Sequence, residues 1–455
     1  MEKAKVKRGV RIFGEVDLLH GPIFTSMLLF TMPLLISRIF QQMYNMVDTM
    51  IVGHYLGDSA LAAMGATTPV YDLLVGFAMG IGTGLATVIS RSFGSGDQKL
   101  LKRSTAAAIV IGIGCSLVIT LGGSLILRPL LEILETPKEI MEDAYTYIFI
   151  ITVSILVMFV YNLCAGLLRA IGNSMMPLVF LIFSSLLNVG LDIFFIVELD
   201  MGIAGAAVAT VLAQLVSAIL CMIYIWKKAK LLLPEKKHFK VEGALYKEML
   251  GQGLSVGFMS SIVSLGSVIL QYGINQLGML MIAAYSSARK IYLIFNMFFS
   301  SMALAVSTFV SQNCGAGQRE RVRKVMRISY AYDVALTVLI TILIYLFGES
   351  LMRLITGTDE SAIIQGGVQY LRIVGPSYVI LGVLSQSRYA LQGLGEKMLP
   401  LISSVIELVG KILFVWILIP KYQYTAVIWC EPVIWCVMAV QLVYSLYRNP
   451  FMRGK

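Results

Sequence analysis

A chain of 455 residues that is 58% hydrophobic and only 14% charged is too poor in charge for a soluble globular protein, where about a quarter of residues are charged. Its net charge of +10 would suit a nucleic-acid partner. The basic residues gather in short connecting segments and no large polar domain carries them, which argues against nucleic acid. The cysteines (Cys115, Cys164, Cys221, Cys314, Cys430, Cys436) lie mostly in apolar stretches, and the histidines (His20, His54, His238) are scattered. Neither set has metal-ligand spacing, so the cysteines read as small core residues and a metal centre is not expected.

Apolar stretches able to cross ~30 Å of hydrocarbon recur along the whole length. They predict an all-α polytopic membrane protein with twelve transmembrane helices, at about 22–52, 60–90, 105–127, 142–163, 174–197, 203–226, 249–273, 279–310, 328–347, 366–386, 399–419 and 425–447. The segment before the first, with Lys3, Lys5, Lys7, Arg8 and Arg11, loosely resembles the start of a signal peptide. The apolar stretch that follows is too long, carries Arg38 and lacks a small-residue cleavage site, so it is expected to be a retained span. Spans one, two, five and eight are long, which predicts tilt, bending or extension beyond the hydrocarbon. Turn formers such as Gly94-Ser95-Gly96-Asp97 and Gly315-Ala316-Gly317-Gln318 connect the spans.

With a cytoplasmic N-terminus, 27 Lys and Arg fall on the cytoplasmic side. Only Arg128, Lys138, Arg353 and Lys421 fall outside. This asymmetry predicts a multi-pass protein of the cell membrane with both termini cytoplasmic.

Shifting the sequence by 221 residues superposes Leu56-Gly57 on Leu277-Gly278, Ala62-Ala63 on Ala283-Ala284, and Gly94-Ser95-Gly96 on Gly315-Ala316-Gly317. Thr87 and Ser90 likewise fall on Thr308 and Ser311, and a shift of about 223 brings Pro177 onto Pro400. An even number of spans per repeat gives a parallel repeat about an axis along the membrane normal. The expected division is an N-terminal lobe, 1–235, and a C-terminal lobe, 236–455, with 227–247 as a basic cytoplasmic linker suited to anionic lipid.

Polar residues inside spans are costly, and Asp48 and Asp192 stand out. Both lie a few residues before the outer end of their spans. Asn188 is one turn from Asp192 on the same face, and Thr210 is about two turns into span six. Helical rise puts all four roughly 8–15 Å below the outer surface. Two carboxylates, an amide oxygen and a hydroxyl at one depth suit Na⁺, and a buried carboxylate pair also suits a shared proton. Separate interhelical hydrogen bonds are the alternative.

Other polar groups allow simpler readings. Glu407 and Lys411 would neutralise each other on one helix face or line a cavity. Arg38 and Asp72 would pair between spans one and two or stand apart. Glu431 has no evident partner. Gly76, Gly80, Gly82 and Gly84 suit close helix approach. The 25 methionines, with Tyr292, Phe295, Phe298 and Phe299, would form an adaptable apolar cavity or face lipid.

The first-span pattern Pro33…Gln41…Asn45-Met46-Val47-Asp48-Thr49…Gly53, running into Leu56-Gly57 and Ala62-Ala63, resembles that of multidrug and toxin extrusion (MATE) transporters. The resemblance covers nearly the whole chain. It implies that Asp48 is central to cation coupling and that Asn188, Asp192 and Thr210 complete an N-lobe cation site, as in prokaryotic members. It also implies substrate contact at Gln41 and Asn162. One branch of the family carries acids in spans seven and ten. Residues 253–271 and 379–387 hold none, which points to members relying on the N-lobe site.

The expected function is therefore secondary active multidrug export by alternating access, Na⁺ or H⁺ being exchanged for amphipathic, cationic compounds. Span one would bend at Pro33, where proline removes a helix hydrogen bond. The expected protein is a monomer with lipids and small molecules as its partners, and with no cofactor beyond the coupling ion. A flippase for lipid-linked oligosaccharides is the alternative, with Arg38, Arg289, Lys290, Arg372 and Lys411 as material for a cationic cavity. An enzyme is not expected: no G-x-S-x-G, H-E-x-x-H or P-loop lysine is present.

Overall fold

Apolar runs of this length have no water to satisfy their main-chain groups, so helix is the available solution. The computed structural model describes residues 14–454 as helices joined by short turns. The basic cluster Lys3, Lys5, Lys7, Arg8 and Arg11 lies outside the described residues, as does Lys455. The first half comprises α1 (Ile23–Gly94), α2 (Gln98–Ile133), α3 (Met141–Val153), α4 (Ile155–Ala170), α5 (Met175–Ile193) and α6 (Gly202–Lys228). The second comprises α7 (Gly243–Asn275), α8 (Met279–Gly315), α9 (Arg319–Thr356), α10 (Ser361–Val374), α11 (Tyr378–Gly393), α12 (Met398–Leu413) and α13 (Ile419–Arg448), with a final turn α14 (Pro450–Arg453).

The internal repeat is written into the backbone. Residues in the left-handed region recur as pairs 221 to 223 apart: Gly57 and Gly278, Gly96 and Gly317, Glu135 and Gly357, Gly172 and Gly395, Gly202 and Gln423. Most are glycine because a Cβ penalises positive φ. Gly57 (φ 81°) breaks the 72-residue α1 into two helical runs, and Gln423 (φ 50°) breaks α13. Two bent pairs also correspond: α3 meets α4 at 48°, and α10 meets α11 at 53°. Short π-helical segments, Phe194–Glu198 and Phe414–Leu418, follow α5 and α12 at matching positions.

Several helices outrun the predicted spans. Asp97 accepts from the main-chain N–H groups of Lys99 (2.8 Å) and Leu100 (3.0 Å), capping α2 well before the predicted start. α9 begins at Arg319 and takes Arg321, Arg323 and Lys324 into its first turns. Spans predicted as single rods around 142–163 and 366–386 are instead the two bent pairs. The segment between the halves is pinned rather than loose. Lys237 and Lys102 donate to Glu235 at 2.7 and 2.9 Å and hold its carboxyl down to about 2, so it stays ionised at neutral pH. Arg103 pairs with Glu242 at 3.0 Å.

The halves meet along the last third of α1. A Cβ on Gly84 would sit 2.5 Å from the Gln252 carbonyl oxygen, and one on Gly80 would sit 2.7 Å from Gly257 Cα. At the end of the seam the contact is reciprocal: Gly94 abuts the Gln312 carbonyl and Gly315 abuts the Arg91 carbonyl. Ser90 donates to the Thr308 carbonyl (3.3 Å), Gln312 donates to the Ala170 carbonyl (2.8 Å), and Arg91 pairs with Glu248. Along α1 in the other direction, Gly57, Gly65 and Gly76 have nothing within 4 Å. The halves are thus joined at the basic end and part toward the other. Gly82, read with Gly80 and Gly84 as suited to close helix approach, faces Phe159 and Asn162 of its own half.

Overpacking a closed seam costs about 1–3 kcal/mol. Gly94→Ala and Gly315→Ala should each lower the detergent-solubilised protein's thermal transition by several degrees. Gly76→Ala should be neutral or stabilising, because alanine favours helix by up to about 1 kcal/mol. Equal behaviour of the three variants in a thermal-shift assay would contradict the seam.

Candidate functional site

Asp48 on α1 and Asp192 and Asn188 on α5 are all buried, with 7%, 0% and 1% exposure. α5 gives way to its π-helical segment directly after Ile193, and the wider turn there resets the helix beside Asp192. The Asp48 and Asp192 carboxyls are neighbours close enough to bear on each other's charge. Asn188 and Thr210 line one small cavity of about 10 Å³ together with Tyr44, Ser184, Ser185 and Gln214. That is near the lower limit for one water. Asp48 of α1 and Asp192 of α5 are thus neighbours, and Asn188 and Thr210 meet at a cavity whose lining includes neither acid.

The cluster is unsatisfied in a specific way. Asp48 Oδ1, both Asp192 oxygens and both polar atoms of the Asn188 amide are buried without a partner. Orphaned polar groups of this density are rare in folded proteins. Two unit charges ~4 Å apart at an effective dielectric near 20 repel by about 4 kcal/mol. A bound proton or cation relieves both problems. The donors are carboxylate, amide and hydroxyl oxygens, a hard set that fits an alkali cation. Among the described residues no group of three or more His, Cys, Asp or Glu is arranged for a metal. Tyr44, Tyr71 and Tyr147 lie around the acids, a phenolic surround that the sequence did not single out.

The remaining predicted positions fall elsewhere. Pro33 is buried within a continuous stretch of α1, and the Ser37 hydroxyl donates to its carbonyl (2.7 Å). Gln41 is exposed, and Asn162 donates to the Met158 carbonyl of its own helix (2.9 Å). Neither lines the cavity beside Asn188. Arg38 and Asp72 form no ion pair, and Asp72 is exposed, so the two stand apart.

In the second half, Glu407 and Glu431 are answered internally. Lys411 donates to Glu407 at 2.9 Å, as expected for residues one turn apart, and Arg388 approaches the same carboxylate at 3.9 Å. The count of 27 cytoplasmic Lys and Arg includes Arg388 in the loop after span ten, and the structure sets it within α11 instead, with 11% of its side chain exposed. Glu431 gains the partner it lacked in the sequence. Arg289 donates to both its oxygens at 2.7 and 2.8 Å, and the Tyr370 hydroxyl adds a third bond at 3.2 Å. The Arg289 guanidinium also lies over Tyr292, 4.1 Å from the ring centroid. Tyr292 and Phe299, read as cavity or lipid-facing residues, are instead packed in the core with Tyr378 and Trp435. Asp333, 0% exposed on α9, is a further buried acid the sequence reading passed over. Its nearness to the basic stretch 319–327 disguised it as part of a solvated helix end.

Comparison with known proteins bears on this arrangement. The family model MatE matches residues 33–194 and again 256–417, two stretches that begin 223 residues apart. The chain is 27% identical over 395 residues to the "Probable multidrug resistance protein YoeA" of Bacillus subtilis (strain 168), covering 85% of each. It is 22% identical over 431 residues to the "Multidrug export protein MepA" of Staphylococcus aureus (strain MRSA252), covering 94% of this chain and 95% of that one. A crystal structure of MATE in complex with MaL6 superposes with a TM-score of 0.89 at 22% identity, over 98% of this chain and 100% of the other. The family model spans well over half the sequence in two copies, and the all-helical fold matches: the protein belongs to the MATE family of multidrug efflux transporters.

Proposed function

We propose that the protein exports amphipathic, cationic compounds in exchange for Na⁺ or H⁺ taken up at Asp48, Asn188, Asp192 and Thr210. The observation that carries this is the set of five buried, unpartnered polar atoms on Asp48, Asn188 and Asp192. Four of the five are oxygens, which a bound proton or cation relieves of their burial cost. The two halves act as lobes of six crossings each, 1–235 and 236–455, both termini being cytoplasmic. The glycine seam closes the cytoplasmic side, which leaves the acid cluster in contact with the outside. A monomer in a lipid bilayer suffices for every step.

Binding of the ion cancels the repulsion between the acids and draws α1 toward α5. The Leu29 carbonyl has no N–H partner at Pro33, so α1 bends there at low cost. Bending narrows the space bounded by Gln41 and Asn162 and drives the substrate out. Seam opening on the other side then releases the ion inward. The ion must favour the bent state over the straight one, since equal affinity for both would shift nothing. The flippase alternative is disfavoured on charge. Of the five cations considered, Arg289 and Lys411 are bound to Glu431 and Glu407 and Lys290 and Arg372 are exposed, which leaves Arg38 as the one member of the set available to line a cavity.

Asp48→Asn and Asp192→Asn should each cut gradient-driven substrate efflux from proteoliposomes by tenfold or more. Undiminished efflux in both variants would sink the site. Imposing sodium and proton gradients separately identifies the ion. Under proton coupling, efflux by the wild type rises as the outer pH falls. Under sodium coupling it responds to outer Na⁺ at fixed pH. Dependence on ATP instead would exclude the mechanism.

Pro33→Ala restores the missing main-chain donor and should slow efflux several-fold while leaving folded yield and ion affinity unchanged. Turnover equal to wild type would show that the bend is not made at this proline.

A further inference from the structure

Asp333 lies in mid-course on α9, about 21 Å along the helix from Arg319 at 1.5 Å per residue, and is 0% exposed. Gln386 of α11, also 0% exposed, donates from Nε2 to Asp333 Oδ1 at 3.2 Å. Asp333 Oδ2 and Gln386 Oε1 are buried with no partner. The fit is close. A Cβ on Gly382 would lie 2.5 Å from Asp333 Cγ, so α11 carries glycine where the carboxyl docks.

No cation answers this acid. On α11, Arg388 turns to Glu407 (3.9 Å). On α8, Arg289 is bound to Glu431 (2.7 Å), and Lys290 is exposed. On α10, Arg372 lies over the Tyr345 ring, 5.6 Å from its centroid. The segment before α1 and helix α14 reach α9 at its start, at Arg319, Arg321 and Arg323. The titratable neighbours are Tyr330 and Tyr332 on α9 itself, and the Tyr330 hydroxyl is engaged with Ser387 Oγ at 2.7 Å. An ionised carboxylate so placed would bear its desolvation cost with one amide hydrogen bond as relief.

A row of oxygens leads away from it. Thr337, Thr341 and Tyr345 follow Asp333 at steps of four along α9, each step drifting by about 40° around the helix. The hydroxyls of Thr337 and Thr341 are buried and unpartnered, and Tyr345 at the end of the row is 54% exposed. The pocket is too tightly packed for a coordinated metal ion, whereas a proton needs no volume.

We propose that Asp333 is a second proton-binding carboxyl, paired with Gln386 and reached along the Thr337–Thr341–Tyr345 row, outside the Asp48–Asp192 cluster. Uptake adds one proton from solvent to Oδ2 and takes the group from −1 to neutral. The new O–H donates to the Gln386 amide oxygen once that amide turns over. The 53° bend between α10 and α11 lies just ahead of Gly382 and Gln386, so a change in it would lift both from the carboxyl and release the proton.

The test is infrared difference spectroscopy of the purified full-length protein during a pH titration without substrate, which makes it independent of the exporter reading. A protonated-carboxyl band that disappears as pH rises is expected in the wild type and in Asp48→Asn, and should be missing from Asp333→Asn. Superimposable spectra of wild type and Asp333→Asn would overturn the proposal. So would a titration of that band that shifts when sodium replaces choline, because the ligand would then be a metal cation. Gln386→Leu is the second variant should Asp333→Asn fail to fold. A displaced midpoint is expected, and an unmoved one counts against the site.

Discussion

Charge inside a low-dielectric slab must be neutralised, and that constraint organises this protein. In its second half Glu407 pairs with Lys411 and Arg388, and Glu431 with Arg289 and Tyr370, while Asp333 has only the Gln386 amide. Its first half leaves Asp48 and Asp192 facing each other without a cation of the chain's own. Truncating one member of a buried pair costs about 3–5 kcal/mol, so the paired sites resist change. The unpaired site has a charge that depends on what the surrounding solution supplies. Fixed pairs make a frame, and the unpaired acids, Asp333 among them, are where a switch would sit.

The glycine seam makes that switch mechanical. Backbones in van der Waals contact at Gly80, Gly84, Gly94 and Gly315 leave no side chain to compress, so the halves can pivot there but not slide freely. Reciprocal contacts, Gly94 on Gln312 and Gly315 on Arg91, place the pivot on the repeat axis. Movement of one lobe is then mirrored by the other about a line between them.

Much of this was legible from residue order. Span hydropathy, the 221-residue shift and the common depth of Asp48, Asn188, Asp192 and Thr210 all follow from one-dimensional periodicities. Leu56-Gly57 and Leu277-Gly278 matched as letters, and their shared reason is the left-handed turn that each pair makes. What stayed hidden depends on which helices pack. Glu431 finds Arg289 across 142 residues of sequence, and no local pattern encodes that. Arg388 looked like a loop residue because its charge outweighed its apolar neighbours, while Glu407 on α12 reaches across to it. Asp333 was masked by the arginines before it. Tyr44 and Tyr147 read as ordinary aromatics until the fold drew them around the acids.

The matched π-helical segments have one more implication. Counting back from Phe194 and from Phe414, Asn188 and Asp192 stand within a residue of the places held by Glu407 and Lys411. Where the first half sets an amide and a carboxyl, the second sets a carboxylate and an ammonium on a four-carbon leash. Lys411 is in effect a tethered counter-ion: it supplies Glu407 with a positive charge that cannot diffuse away, because the chain itself carries it.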